Sequence, residues 1–160
     1  MTEFRRMLHI VLMEPEIPPN TGNLIRLCAN TGATLHLIKP LGFSLETKAL
    51  RRAGLDYHEF AELQCHDNFE ACMNQLSSSR WFAFTTKGKN FYTAVQYRPD
   101  DVLLFGPETR GLPNEVLDDP RIEDRLRLPM RETSRSLNLA NSVSIVLFEA
   151  WRQLGFDGGV

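Results

Sequence analysis

The 160-residue chain contains only three cysteines, Cys28, Cys65 and Cys72, and none of them stand in a C-x-x-C spacing. So sparse and odd a set in a chain of this length argues against a disulfide framework and for a reducing compartment. Cys65-His66 with Cys72 is the one cluster at which a metal could be sought, but its gaps fit no zinc template, and no metal is expected. Long apolar runs are missing too. Arg5-Arg6 followed by Met7-Leu-His-Ile-Val-Leu-Met13 mimics the start of a secretory signal, yet the run is too short and stops at Glu14-Pro-Glu-Ile-Pro-Pro19. It reads as a buried first strand. No segment approaches the length needed to cross a membrane, and a cytoplasmic protein is expected.

The common nucleotide-binding signatures are also absent. No G-x-G-x-x-G follows the first strand and no G-x-x-x-x-G-K-[ST] occurs, which argues against dinucleotide dehydrogenases, Rossmann-type methyltransferases and P-loop NTPases. There is no G-x-S-x-G, and no histidine sits in a triad context, so a serine hydrolase is disfavoured. A net charge of −2 argues against nonspecific coating of nucleic acid. Local basic groups remain: Arg51-Arg52, Lys87 with Lys89, and the stretch from Arg121 to Arg135 could contact phosphates, or could be ordinary solvated surface.

The chain that is present fits one domain. Apolar runs of strand length recur at Leu8 to Met13, Thr34 to Ile38, Trp81 to Thr85, Val102 to Phe105 and Leu126 to Leu128. They are apolar throughout and not alternating, as strands covered on both faces must be, and helical patterns separate several of them. The expected fold is a single α/β domain, a mostly parallel sheet of about five or six strands flanked by helices. Helices are expected over Asn20 to Thr31, Glu46 to Ala53, Asn68 to Leu76 with Asp67 as N-cap, and Ser136 to Leu154, with a short helical turn after Pro113. Stops are expected at Gly32, Gly54 and Gly155.

Three segments combine backbone-permissive residues with hydrogen-bonding side chains at the edge of an apolar run: Asn20 to Arg26, Leu104 to Gly111, and Ser134 to Ser142. On the first helix, Asn23, Arg26 and Asn30 share a stripe, so an arginine framed by two asparagines points one way. The strand ends at Thr85-Thr86, Gly106-Pro107 and Leu128-Pro129-Met130 are polar or loop-like, and open α/β sheets bind ligands beyond the carboxyl ends of their strands. A tight surface turn needs Gly106 and Pro107 equally. On the last helix Ala140, Val143, Leu147, Ala150, Trp151 and Leu154 form one apolar side, while Leu137, Ile145 and Phe148 carry it further than one sheet face requires. That surplus predicts a homodimer.

In order and spacing, the strings Asn20-Thr-Gly-Asn23-x-x-Arg26, Gly106-Pro-Glu108-x-x-Gly111 and Ser136-Leu-Asn138-Leu-Ala-Asn141-Ser resemble the three motifs of the SPOUT superfamily of RNA methyltransferases. Glu14 to Asn23, Arg26 to Gly32, Arg51 to His58 and Glu149 to Gly155 are similar to its small bacterial branch that methylates the wobble-nucleotide ribose of tRNA, and the likeness runs from Met7 to Gly155. Many members of that branch carry a tyrosine where this chain has Phe148.

The resemblance implies a deep trefoil knot near the C-terminus, S-adenosylmethionine as cofactor, tRNA as partner and an obligate homodimer. It implies a domain over 7–156, with a flexible basic tail at 1–6 and a short tail at 157–160. Cofactor contacts carry over to Phe84, Thr85, Thr86, Gly106, Pro107, Glu108, Gly111, Leu128, Met130, Ser136 and Leu137, and substrate contacts to Asn20, Asn23, Glu108, Arg135 and Asn138. Arg26 matches the catalytic arginine. A guanidinium stays protonated at any working pH and is a poor base, so Arg26 is expected to clamp the target phosphate and support a developing alkoxide, with the general base unassigned.

The implied reaction is methyl transfer to the 2′-hydroxyl of a wobble cytidine or 5-substituted uridine in tRNA(Leu)-type anticodon loops. Ribose methylation of ribosomal RNA, a noncatalytic RNA-binding factor of the same fold, and a binder of adenosine-type small molecules are the rival readings.

Overall fold

The computed structural model describes residues 7–60, 62–134 and 136–160; the tail expected at 1–6 and the expected substrate contact Arg135 lie outside them. Seven strands form one sheet: β1 (His9–Met13), β2 (Thr34–Ile38), β3 (Gln64–His66), β4 (Trp81–Phe84), β5 (Asn90–Phe91), β6 (Val102–Phe105) and β7 (Ile122–Arg127). Their order across the sheet is β3-β2-β1-β6-β4-β7-β5, and every neighbouring pair is parallel. The expectation of about five or six mostly parallel strands is thus corrected to seven, all parallel. The two additions are short: β3 lies at one edge and carries Gln and His, and the two exposed residues of β5 pair only with β7.

The central strands explain their own composition. β4 and β6 are buried at every position, and β1 at its three inner ones. Ile10, Leu12, Phe82, Phe84, Leu103 and Phe105 face one core with helices α1 (Pro18–Thr31) and α6 (Leu139–Gln153). Val11, Trp81, Ala83, Val102 and Leu104 face another with α4 (Phe69–Gln75) and α5 (Asn114–Leu117). Helices on both faces are what an all-parallel sheet demands. Two further short helices, α2 (Thr47–Arg52) and α3 (Tyr57–Phe60), lie between β2 and β3.

Helix ends correct two expectations. The cap of α4 is Asn68, not Asp67: Asn68 has an extended backbone and its side-chain oxygen accepts from the Ala71 N–H at 2.8 Å, while Asp67 pairs with Lys39 at 3.6 Å. α6 begins at Leu139, not at Ser136, because Asn138 caps it by accepting from the Asn141 N–H at 3.2 Å. Ser136 and Leu137 stay in the preceding loop. Gly32 does close α1, in the left-handed region at φ 81° that a side chain would resist. On α6 Val143, Val146, Leu147 and Ala150 are buried, whereas Ile145 and Phe148 stand 41% and 44% exposed, so the surplus apolar side faces outward. Phe148, Trp151 and Phe156 stack edge to face along it. The Trp151 indole donates to the Asp157 carbonyl at 2.9 Å. No helix among the described residues is long and apolar enough to cross a membrane.

A row of histidines crosses β1 to β3. His9 Nδ1 lies 3.1 Å from His36 Nε2, and His36 Nδ1 lies 3.0 Å from His66 Nε2. His9 Nε2 lies 3.6 Å from the Asp100 carboxylate. The ligand atoms of His36, His66 and Cys72 fall within 4.8 Å of one another, whereas Cys65, grouped with them by sequence, is exposed. Burial, reinforced by His9 and His66, pushes His36 down to about 3, and burial also lowers His9 and His66. Below pH 6.5, the ordinary histidine value, the unfolded chain takes up protons that the folded one refuses, so stability falls as pH drops and is flat above that point. At pH 5 His36 alone is expected to cost about 2 kcal/mol relative to pH 7. Urea unfolding at the two pH values measures this, and His36→Gln should flatten the dependence; an unchanged profile would contradict it.

Candidate active site

Strands β6, β4 and β7 are neighbours running the same way, with Phe84 opposite both Phe105 and Leu126. Their carboxyl ends therefore release three loops side by side, and the segment before α6 reaches the same place. Between them is a cavity of about 300 Å³. Its wall includes Phe84, Thr85 and Thr86 from β4 and its loop; Gly106, Pro107, Glu108 and Gly111 after β6; Leu128 and Met130 after β7; and Ser136 and Leu137 before α6. Every residue expected to touch the cofactor thus borders one cavity. Phe84 and Phe105 stack nearly parallel at 4.7 Å between centroids. Apolar walls plus main-chain edges suit a ligand of nucleoside size.

Glycine makes the fold of this wall feasible. A side chain at Gly106 would put its Cβ 2.4 Å from the Gly111 carbonyl carbon and the Leu112 nitrogen, so the loop from 106 to 112 closes on itself only without one.

The Glu108 carboxylate is engaged with the first motif and the residues just before it. It accepts from the Glu16 N–H at 2.8 Å, the Ile17 N–H at 2.6 Å and the Asn20 amide at 3.3 Å. Asn20, itself buried, accepts in turn from the Asn138 amide at 3.0 Å. Glu16 returns the tie by accepting from the Thr109 N–H at 3.0 Å and hydroxyl at 2.8 Å, contacts that hold its carboxyl below the usual range. The three motifs are therefore wired together, and neither Asn20, which is buried, nor Asn138, which is exposed, lines the cavity.

Arg26 and Asn23 are elsewhere. Both are exposed on α1, with Asn30 on the same side, and neither borders the cavity. Arg26 Nε donates to Glu59 at 2.9 Å and Nη2 to the Gly54 carbonyl at 2.6 Å.

Sequence reasoning missed Glu16 and Glu59 and gave Arg110 no role; Arg110 joins Lys87 and Arg127, two of the basic groups expected to meet phosphate, around the cavity. The pattern Asp56-x-x-Glu59 was a readable helix-start signal. Among the basic groups expected to meet phosphate, Arg51 and Arg52 are exposed. Arg121 is paired with Glu70 and Asp119, and Arg125 with Asp118 at 2.9 Å. Arg127 lies over the Phe91 ring, 4.8 Å from its centroid.

A parallel α/β sheet with a loop-built cavity at its carboxyl edge places a ligand site where open α/β sheets put one, and residues 7–148 match the SpoU rRNA Methylase family. The chain belongs to this family of methylases. It is 60% identical to the tRNA (cytidine(34)-2'-O)-methyltransferase of Methylovorus glucosotrophus (strain SIP3-4), over 96% of this chain and all of that one. A solved structure described as giving insight into the 2′-OH methylation of C/U34 on tRNA superimposes with a TM-score of 0.86 at 47% identity, over 94% of this chain and 98% of the other. An S-adenosylmethionine-bound rRNA methyltransferase from Sinorhizobium meliloti superimposes with a TM-score of 0.80 at 25% identity, over 92% of this chain and 57% of the other.

Gly106→Ala is expected to spread the turn and destabilise the protein by about 1–3 kcal/mol. Its urea midpoint should fall accordingly; a midpoint equal to the parent's would show that the Gly106–Gly111 approach is dispensable.

Proposed function

We propose that this protein transfers the methyl group of S-adenosylmethionine to the ribose 2′-hydroxyl of the wobble nucleotide, residue 34, of tRNA. The cavity bordered by the second and third motif segments, to which the first is tied through Asn20, carries this reading, and the near-full-length likeness to wobble cytidine methyltransferases supplies the substrate. The cavity's size and its apolar and main-chain lining fit the cofactor, which when bound presents an electrophilic sulfonium methyl group. The loops at Thr85-Thr86, Gly106-Pro107, Leu128-Met130 and Ser136-Leu137 would hold its adenosine and methionine portions.

The chain's own residues then have to bring the ribose oxygen into line and exclude water, and positioning is worth many kilocalories in such a displacement. Arg26 is the residue assigned to the RNA: a permanently charged guanidinium grips a phosphate through two parallel N–H donors. Asn23, next to it on α1, and Arg135 are assigned to the RNA as well. Asn20, Asn138 and Glu108 act by fixing the loops. Anticodon loops offer splayed, unstacked nucleotides, which a loop-built site can engage. The chain path through the cavity loops is inferred to be the family's trefoil knot.

Two copies are proposed to associate through the outward side of α6. Ile145 and Phe148, flanked by Trp151, form an apolar patch that a partner helix would bury. Phe148→Asp is expected to convert a dimer into a monomer in light scattering; a monomeric parent protein would remove the proposal.

Purified protein, radiolabelled S-adenosylmethionine and total tRNA test the reaction, with the modified position mapped by primer extension. Label at nucleotide 34 is expected, and label confined to ribosomal RNA in a parallel reaction would overturn the substrate. Arg26→Lys should bind the cofactor as the parent does in calorimetry yet lose about 100-fold or more in turnover, since a lysine cannot form the bidentate grip.

A further inference from the structure

We infer that Glu59 is a positioning residue for Arg26, holding the guanidinium so that one edge is occupied by protein and the other is presented to the RNA. The inference rests on the reading of Arg26 given above. Two donors on the same side of the guanidinium, Nε and Nη2, are spent on Glu59 Oε2 at 2.9 Å and the Gly54 carbonyl at 2.6 Å. No described residue accepts from Nη1. A guanidinium has two hydrogen-bonding edges, and using the side-on edge for anchorage leaves the end-on edge for a bidentate phosphate.

Glu59 is itself immobilised. It is the third residue of α3, and its other oxygen, Oε1, accepts from the Asp56 N–H at 2.9 Å, while the Glu59 N–H donates to the Asp56 carbonyl at 2.9 Å. This is the glutamate half of a capping box, the other bond running between main-chain groups, and it leaves the carboxylate a second oxygen directed at Arg26. Its side chain is 17% exposed against 48% for Arg26, so the less exposed member fixes the more exposed one. The Asp56 N–H, and then Arg26, hold the Glu59 carboxyl below its usual range, keeping it charged wherever the enzyme works. A long arginine left free would otherwise sample many rotamers and lose that order on binding.

Glu59→Gln is the discriminating change. The amide oxygen still accepts from Asp56, so the helix start survives, but the amide nitrogen or the neutral oxygen cannot replace the charged acceptor for Arg26. With the intact protein and tRNA, kcat is expected to fall about 10- to 100-fold, the loss of one charge-assisted hydrogen bond, with the KM for S-adenosylmethionine unchanged. In single-turnover reactions the same substitution placed on Arg26→Ala should add no further loss. If Arg26→Ala is as active as the parent, the reading of Arg26 fails. If Arg26→Ala is inactive while Glu59→Gln keeps full kcat, the positioning role fails alone. Should Glu59→Gln melt early by the same margin with and without Arg26, its role is structural and the inference is overturned.

Discussion

The carboxylate of Glu108 is the point on which the site's geometry depends. α1 opens with Pro18-Pro19, which offer no N–H, and its N-cap Ile17 has no side chain able to accept a hydrogen bond. The exposed donors just ahead of the helix, the N–H groups of Glu16 and Ile17, are taken instead by a carboxylate from the loop after β6. An anion is favoured there, since the N-terminal end of a helix carries partial positive charge. Because Glu108 also holds Asn20, and Asn20 holds Asn138, segments more than a hundred residues apart are locked to one another. Thr109 and Glu16 repeat the tie in the opposite direction.

This arrangement divides the motifs by task. The polar side chains Asn20, Glu108 and Asn138 are bonded to one another, so the wall left for a ligand is supplied largely by other residues: the ends of β4, β6 and β7, Leu128, Met130 and the loop at Ser136-Leu137. Loops built this way need internal cross-links, because a loop holds a small molecule through its backbone only if that backbone does not drift. Gly106 belongs to the same logic, as its missing side chain lets the loop double back on Gly111.

How much of this was legible follows from range. Strands β4 and β6 are apolar throughout and β1 and β2 mostly so, and they declare themselves within a few residues, while the stop of α1 at Gly32 is a local backbone requirement. β3 and β5 are short edge pieces whose residues, Gln64-Cys-His66 and Asn90-Phe91, follow no pattern; their pairing partners create them. Likewise, Asn68 and Asp67 are equally good caps in isolation, and the point at which the backbone turns from extended to helical, at Asn68, separates them. The motif residues were visible as types, but their roles were not: a Glu in a Gly-Pro-Glu turn looks available for a ligand until the backbone donors of a distant segment occupy it. The Arg26–Glu59 pair spans 33 residues of sequence and was equally invisible.

Charge follows the same rule of pairing before function. The arginine-rich stretch from Arg121 to Arg135 invites a phosphate-binding reading, yet Arg121 and Arg125 are consumed by Glu70, Asp119 and Asp118. What is left near the cavity is Lys87, Arg127 and Arg110, the last only 3.9 Å from Glu16. With a net charge of −2, a single chain has little long-range attraction for a polyanion. Selective engagement of RNA must then come from a few cations held in fixed directions and not from a broad positive field. Arg26, exposed at its tip and anchored at its base by Glu59 and Gly54, is the best example in the structure of such a cation.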